Sequence, residues 1–494
     1  MKLRRLQVEC FKNVQACDVS FSREPLIHAV IGRNGSGKSN LIEAIIHILI
    51  GFYFKKPPTF EFRLEYEAQN RSIVLQRDCG IPAVIVDGLQ LSMEHFAARL
   101  RDGPGQVFYP ELTFIYYSGE CQRVKKLVGR YRRHFLATFR GHGSERYRPL
   151  FLQTGNEQSQ VILFALFAHK HYQLLAHLQL DLIDEIEIVL RSPEGFDSSL
   201  HEPILWNTAG ATRSILASLD ETCASQRNLR KAAKVSLQEG EDPEERLVVV
   251  DFHEERTYYY RNGPNGGISK LARRLEKEGE NVYLALEHLR GQGVFKSISY
   301  KLKGRGSSEV FSFDQLSEGE KQLLAVLGSL SLTHQSDNLA LLDEPDTHLN
   351  PQWSWAYSSM LMESLDSHSI NRSTVLLTTH DPVMISGMVR EQVLLAHSSS
   401  SDSQRFSRPL RNPRGQGVAN LLCSSEFFGL PSSLDSETQK LLDERLTLSI
   451  KPQLSERDKS RLRTLNAQLE IMPGISERDP TLVDFLRQKY SDNR

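Results

Sequence analysis

The chain has 494 residues, 40% hydrophobic and 24% charged, with 60 basic against 61 acidic side chains and a formal net charge of −1. That length suffices for two or three domains with a substantial core, and the balanced charge excludes a globally basic partner for nucleic acid or membrane, so any such surface must be local. Six cysteines (Cys10, Cys17, Cys79, Cys121, Cys223, Cys423) form no C-x-x-C pair, which argues against a zinc site or disulfide framework and fits a reducing, cytoplasmic compartment.

Met1 to Arg5 has no apolar signal core behind it. Alternating apolar positions (Leu3, Leu6, Val8, then Val19, Phe21) predict strands. An apolar run at Ile27, Ala29, Val30 and Ile31 predicts a further strand, and the run from Leu41 to Leu49 a helix. Between them Gly32 to Ser39 reads G-R-N-G-S-G-K-S, which fits the phosphate-binding pattern G-x-x-x-x-G-K-[ST]. Strand, glycine loop and helix in that order aim backbone N–H groups and a helix N-terminus at phosphate oxygens. Arg33, Asn34, Gly35, Ser36, Gly37, Lys38, Ser39 and Asn40 are therefore expected to bind ATP, with Lys38 reaching the terminal phosphates and Ser39 ligating Mg²⁺. The apolar run Leu41 to Phe54 is too short for a membrane span and carries Glu43 and His47, so no membrane partner is expected.

Apolar alternation over residues 60–90, with Asp87-Gly88 as a turn, predicts an antiparallel sheet beside this loop. Thr113 to Tyr117 reads as a buried strand. The chain then turns basic: Arg123, Lys125, Lys126, Arg130, Arg132, Arg133, Arg140, Arg146 and Arg148 oppose only Glu145. These cations can neutralise phosphates, and Tyr131, Phe135 and Tyr147 can stack on bases, so the first six are the nucleic-acid candidates. A solvated helix face, or a phosphate-facing loop near ATP, accounts for the stretch equally well. Residues 155–190 have helical composition, 232–246 read as an acidic loop, and Val248 to Val250 and Thr257 to Tyr260 as strands. Past residue 397 come a polar linker, an arginine-containing loop (Arg405, Arg408, Arg411, Arg414) and short capped helices from about residue 430. Ser455 with Asp458 resembles a capping box, and Asp479-Pro480 places a cap before a proline.

Three further motifs follow in order. Leu316-Ser-Glu-Gly-Glu-Lys-Gln322 precedes a helix predicted over 320–330. Leu339 to Pro345 is an apolar strand ending in Asp343 and Glu344, and Val375 to Leu377 leads a strand to His380. An acidic strand tip can hold Mg²⁺, Glu344 can act as general base for water, and His380 can sense the γ-phosphate by a hydrogen bond. Alone, each reads as a solvated strand end or a helix cap. Their order downstream of a phosphate loop points to one nucleotide site.

These four motifs resemble the ABC-type ATPase head used by SMC, RecF and OLD-type proteins, and Leu6 to Asn13 resembles that group's opening strand. The resemblance implies an α/β fold: a P-loop mixed sheet plus an antiparallel β subdomain, an inserted helical lobe and a C-terminal helical tail. The domain bounds expected are 1–120 (head with the phosphate loop), 121–300 (basic, helical lobe and strands), 301–397 (head with the remaining motifs) and 398–494 (linker and tail for partner docking). It also implies that Ser317, Glu318 and Gly319 of one head meet the ATP of another, with Asp346 and His348 at the dimer seam. One departure is visible. The glutamine this group uses near Mg²⁺ is missing from Tyr116-Tyr-Ser-Gly-Glu120, and Gln122 is the nearest candidate.

The 279 residues between Lys38 and Ser317 (317 − 38) show no sustained heptads, which argues against a long-armed SMC protein. The 114 residues after His380 (494 − 380) contain no D-x-D, which argues against an OLD-type nuclease domain. Ile115 to Gly119, Gly417 to Leu422, Phe428-Gly-Leu and Arg478 to Leu486 resemble the Septu antiphage ATPase family PtuA, including its retron-associated forms. This implies an ATP-dependent sensor or scaffold controlling a separate HNH nuclease (PtuB), with a retron reverse transcriptase and its RNA–DNA as a further partner. A RecF-like DNA-repair ATPase and a non-hydrolysing, ATP-locked assembly platform are the alternatives.

Overall fold

The computed structural model describes residues 1–22, 24, 26–99, 108–119, 121–141, 149–193, 204–239, 246–261, 267–304, 306, 309–333, 337–364, 373–397, 406–451 and 453–470. The chain divides into two compact units, Met1–Gln416 and Gly417–Arg494.

The first unit opens with hairpin strands β1 (Lys2–Phe11) and β2 (Val14–Ser20), then β3 (Ile27–Gly32) and helix α1 (Lys38–Tyr53). Next come β4 (Phe62–Ala68), β5 (Arg71–Asp78), β6 (Ile81–Val86) and β7 (Leu89–Leu91). The β6–β7 turn is Asp87-Gly88, both at positive φ, as a two-residue hairpin loop requires. These strands form an antiparallel sheet in the order β2-β1-β4-β5-β6-β7. Alternate residues of β4 (Phe62, Leu64, Tyr66, Ala68) are buried in the same core as α1.

After α2 (Met93–Arg99) and β8 (Leu112–Tyr117) comes α3 (Gln122–Gly141), the basic stretch. Val124, Val128 and Tyr131 turn into the core shared with α1, while Arg123, Lys125, Lys126, Arg130, Arg132 and Arg133 are exposed. Strand β9 (Phe151–Thr154) then joins the edge of the nucleotide-loop sheet. Helix α3 thus packs on the head's core and β9 on its sheet, where the sequence reading placed residues 121–300 in the lobe.

The lobe comprises α4 (Asn156–Ala168), α5 (Tyr172–His177), β10 (Leu180–Arg191), α6 (Gly210–Thr222), β11 (Ser225–Glu239), β12 (Arg246–Arg261), α7 (Gly267–Lys277), α8 (Val282–Gly291), β13 (Phe295–Gly304) and β14 (Val310–Phe311). Its antiparallel sheet runs β11-β12-β10-β13-β14. Two sequence expectations fail here. Residues 180–190 are a strand, with Ile186, Ile188 and Leu190 buried at period two. Residues 232–239 belong to β11, because the ladder to β12 supplies backbone partners that polar composition does not advertise; residues 240–245 of that expected loop lie outside the described residues.

The chain returns to the head with α9 (Glu318–Leu323), a π-helical turn (Leu324–Gly328), α10 (Ser329–Thr333), β15 (Asn338–Asp343), α11 (Pro351–Ser364), β16 (Thr374–Thr379), α12 (Pro382–Ile385), β17 (Val393–Ala396) and β18 (Phe406–Ser407). The central sheet runs β18-β17-β3-β16-β15-β8-β9 and is parallel except at β18. Its strands are buried on both faces, as their continuous apolar runs require. The glycine loop, Asp343, Thr379 and Tyr117 therefore share one carboxyl edge, where open α/β sheets bind ligands.

The second unit contains α13 (Val418–Cys423), α14 (Ser436–Ser449) and α15 (Glu456–Glu470). The Ser455–Asp458 box forms, with Asp458 N–H donating to Ser455 Oγ at 3.2 Å and Ser455 N–H to Asp458 Oδ2 at 3.1 Å. Asp479-Pro480 and Arg478 to Leu486 lie outside the described residues. Among the described residues no helix is long and apolar enough to cross a membrane.

Candidate nucleotide site

The loop after β3 is shaped from two sides. Gly37 caps α1 at φ +101°, and a Cβ there would stand 3.1 Å from Asn13 Oδ1. Asn13, at the β1–β2 turn, donates from Nδ2 to the Gly35 carbonyl at 2.6 Å and accepts from Asn40 Nδ2 at 2.5 Å. Lys38 is buried, and its ammonium donates to the Gly32 carbonyl at 2.9 Å. Burial pulls Lys38 below its ordinary pKa, while Glu344, Asp343 and Asp346 oppose that shift. The Ser36 hydroxyl is buried with no protein partner. Arg33, Asn34 and Gly35 are exposed on the rim.

The acidic end stands two strands away from β3. Asp343 accepts from Thr378 Oγ1 at 2.6 Å and is hydrogen-bonded to the Ser39 side chain. Burial raises its carboxyl above the usual range and Glu344 adds to this, while those two hydrogen bonds and Lys38 pull it back. Among the described residues no three His, Cys, Asp or Glu side chains converge as a metal cluster. The donor set of one carboxylate and one hydroxyl fits Mg²⁺, which completes its shell with phosphates and water. Glu344 sits at φ +48°, a strained value for a side chain, fixed by its N–H donating to Thr378 Oγ1 at 3.0 Å. His380 Nδ1 lies 3.5 Å from Glu344 Oε1.

Asp346 lies below the surface of the loop. It is 5% exposed and accepts a hydrogen bond from Thr379 Oγ1, and burial pushes its carboxyl up to about 6. His348, two residues on, is exposed.

Ser317 caps α9 in the open. Its hydroxyl donates to Glu320 Oε2 at 2.7 Å, and Glu320 N–H donates back at 3.3 Å. Glu318 is exposed beside Lys321, 3.1 Å away. Gly319 is dictated by close approach, since a Cβ there would stand 2.6 Å from the His348 carbonyl oxygen. Buried Gln322 accepts from His348 N–H at 3.2 Å and donates towards the Glu344 carbonyl at 3.5 Å. The segment 316–322 is thus built directly on the loop that carries Glu344 and His348.

Gln122 lies exposed in the first turn of α3, five positions beyond Tyr117. In the basic stretch Tyr131 and Phe135 have structural contacts. Tyr131 is buried, its hydroxyl accepts from Leu150 N–H at 2.7 Å, and Phe135 stacks on it. Tyr147, Arg146 and Arg148 lie outside the described residues. Arg123 reaches Glu43 at 3.5 Å, and Arg130 covers the Phe54 ring at 4.6 Å. Arg408 and Arg414 donate to the backbone carbonyls of Ser20 and Gly387, so they staple the fold.

Sequence reasoning overlooked Asn13, Glu43, Thr378 and Gln322 as parts of the site. Thr378 and Gln322 lie inside quoted motifs, and only the register of β16 and the packing of α9 give them roles. Glu43, buried, draws Lys12 to 2.5 Å and Arg123 to 3.5 Å, tying α1 to the β1–β2 turn and to α3.

Two family models match: one described as "AAA domain, putative AbiEii toxin, Type IV TA system" over residues 145–386, and "AAA ATPase domain" over residues 1–86. The chain is 24% identical over 163 residues to the Septu protein PtuA of Bacillus mycoides, covering 32% of this chain and 22% of that one. It is 26% identical over 138 residues to the retron Vc95 probable ATPase of Vibrio cholerae, 26% of each. It is 42% identical over 112 residues to the DNA replication and repair protein RecF of Vibrio vulnificus, 22% of this chain and 27% of that one. The chain thus spans about a quarter of the length of these relatives. With the phosphate loop and the acidic strand tip, these matches show an ATPase head similar to those of PtuA, the retron ATPase and RecF.

Proposed function

We propose that the chain binds ATP with Mg²⁺ between two of its own copies, hydrolyses it, and thereby controls a separate HNH nuclease in a cytoplasmic antiphage complex. The observation that carries the nucleotide reading is the convergence at one sheet edge of Lys38, Ser39 on Asp343, and a strained Glu344 beside His380. Lys38 exchanges its loop carbonyls for phosphate oxygens. Ser39 and Asp343 hold Mg²⁺, which when bound neutralises phosphate charge. Glu344 accepts a proton from the attacking water, and His380 orients that carboxylate and reads the γ-phosphate. Ser317, exposed at a helix N-terminus, gives up its bond to Glu320 to meet the partner's nucleotide, with Glu318 and Gly319 beside it and His348 on the adjoining loop. The defence reading is supported by the likeness to PtuA and to the retron ATPase, and it extends to a retron reverse transcriptase and its RNA–DNA as partners.

Glu344→Gln tests the catalytic core. Phosphate release should fall at least ~100-fold while an ATP-bound dimer accumulates on size exclusion. Equal release by variant and wild type removes Glu344 from the base role, and a wild type that dimerises with ATP yet never releases phosphate establishes the assembly-platform alternative. A second reading, a RecF-like ATPase acting on DNA, is favoured by the six exposed cations of α3 and by the RecF likeness. DNA-stimulated hydrolysis lost on reversing Arg132 and Arg133 to Glu selects it.

A further inference from the structure

One polar group at the carboxyl edge has no role so far. Tyr117 ends β8 directly opposite Asp343 in the parallel ladder, and the next residue, Ser118, donates its N–H to the Asp343 carbonyl at 3.1 Å. The ring packs against the core that contains α1, which puts its hydroxyl on the Ser39 and Glu43 side of the sheet. Asp343, Cys121, Glu43 and Arg123 all lie within its electrostatic reach. The hydroxyl oxygen is buried and has no hydrogen-bond partner in the protein. A buried polar group left unmatched costs free energy, so such groups mark places where a ligand or water completes the bond. Tyr117 also stands at the strand end where the resemblance calls for a glutamine.

We propose that the Tyr117 hydroxyl oxygen accepts a hydrogen bond from a water in the Mg²⁺ shell of the bound nucleotide, at the strand end where the missing glutamine would stand. Tyr117 is then a positioning residue, acting through that water and not on the phosphate. Burial keeps the phenol far above its ordinary pKa, so the hydroxyl stays neutral across the working range. Gln122, exposed on α3, is not needed for this task. The inference rests on the proposed nucleotide site.

Tyr117→Phe in the full chain removes the hydroxyl and keeps the ring. With a non-hydrolysable ATP analogue bound, its Mn²⁺ affinity, read by electron paramagnetic resonance, should weaken about 5–10-fold, one hydrogen bond's worth. Binding of a fluorescent ATP analogue in EDTA should not change, and Tyr117→Gln should regain part of the Mn²⁺ affinity. Phosphate release should fall in parallel. Wild-type Mn²⁺ affinity in Tyr117→Phe, alongside a loss in Ser39→Ala, overturns the role of Tyr117 and leaves the site standing. Undiminished Mn²⁺ affinity in Ser39→Ala overturns the metal site itself, and the tyrosine's role with it.

Discussion

Replacing Asp346 by Asn tests the electrostatics of the loop behind Glu344. The Asp346 carboxyl is buried under Thr379 and pushed up to about 6 against an ordinary 3.8. Burial is the main cause; Asp381 adds to the shift, while Thr379 and His380 reduce it. A raised folded-state pKa favours the protonated acid. Its stabilising contribution is complete below about pH 4 and disappears as pH rises through 6. Holding the charge above that point therefore costs up to ~3 kcal/mol. Asn keeps an acceptor for the Thr379 hydroxyl and removes the charge. The variant should match wild type near pH 4 and exceed it by up to ~3 kcal/mol above pH 6.5, or roughly 3 °C in melting temperature for a unit of this size. Thermal melts from pH 4 to 8 read the difference, in which slopes from other acids such as Asp343 cancel. A difference that does not vary with pH, or a variant less stable at pH 7.5, refutes the argument.

Gly319→Ala places a methyl 2.6 Å from the His348 carbonyl oxygen and should cost about 1–3 kcal/mol, seen as a lower urea midpoint. Nucleotide-driven dimerisation should fail in the same variant while binding in the monomer persists. Asn13→Ala frees the Gly35 carbonyl and Asn40 from the β1–β2 turn. Losing these two bonds, about 1 kcal/mol each, should weaken affinity for an ATP analogue by up to about 30-fold, measured by titration calorimetry.

The parts of the head that rest on local order were legible. Strand, glycine loop and helix around Lys38 are fixed by contiguous residues, and the apolar run into Asp343 reads as a buried strand, whose parallel pairing the structure supplies. What sequence could not show was set by partners far along the chain. The polar residues 232–239 are a strand because β12 pairs with them, and Tyr131 is structural because Leu150 uses its hydroxyl. Asp346 reads as a surface aspartate until Thr379, 33 residues away, is seen to cover it. Residues 121–154 read as an insertion because charge dominates their composition. Their apolar positions, one turn apart, instead lay α3 on α1.

The contact of Gly319 and Gln322 with the backbone at His348 carries an engineering consequence. Two stretches nearly thirty residues apart in sequence behave as one machined joint, the Gly319 backbone and the Gln322 side chain both cut to the main chain at Glu344 and His348. A chimera that imports 316–322 from a foreign head without its matching loop inherits a misfit at van der Waals range, whatever the similarity of the motif letters. Useful recombination of such heads has to move both pieces as a single cassette.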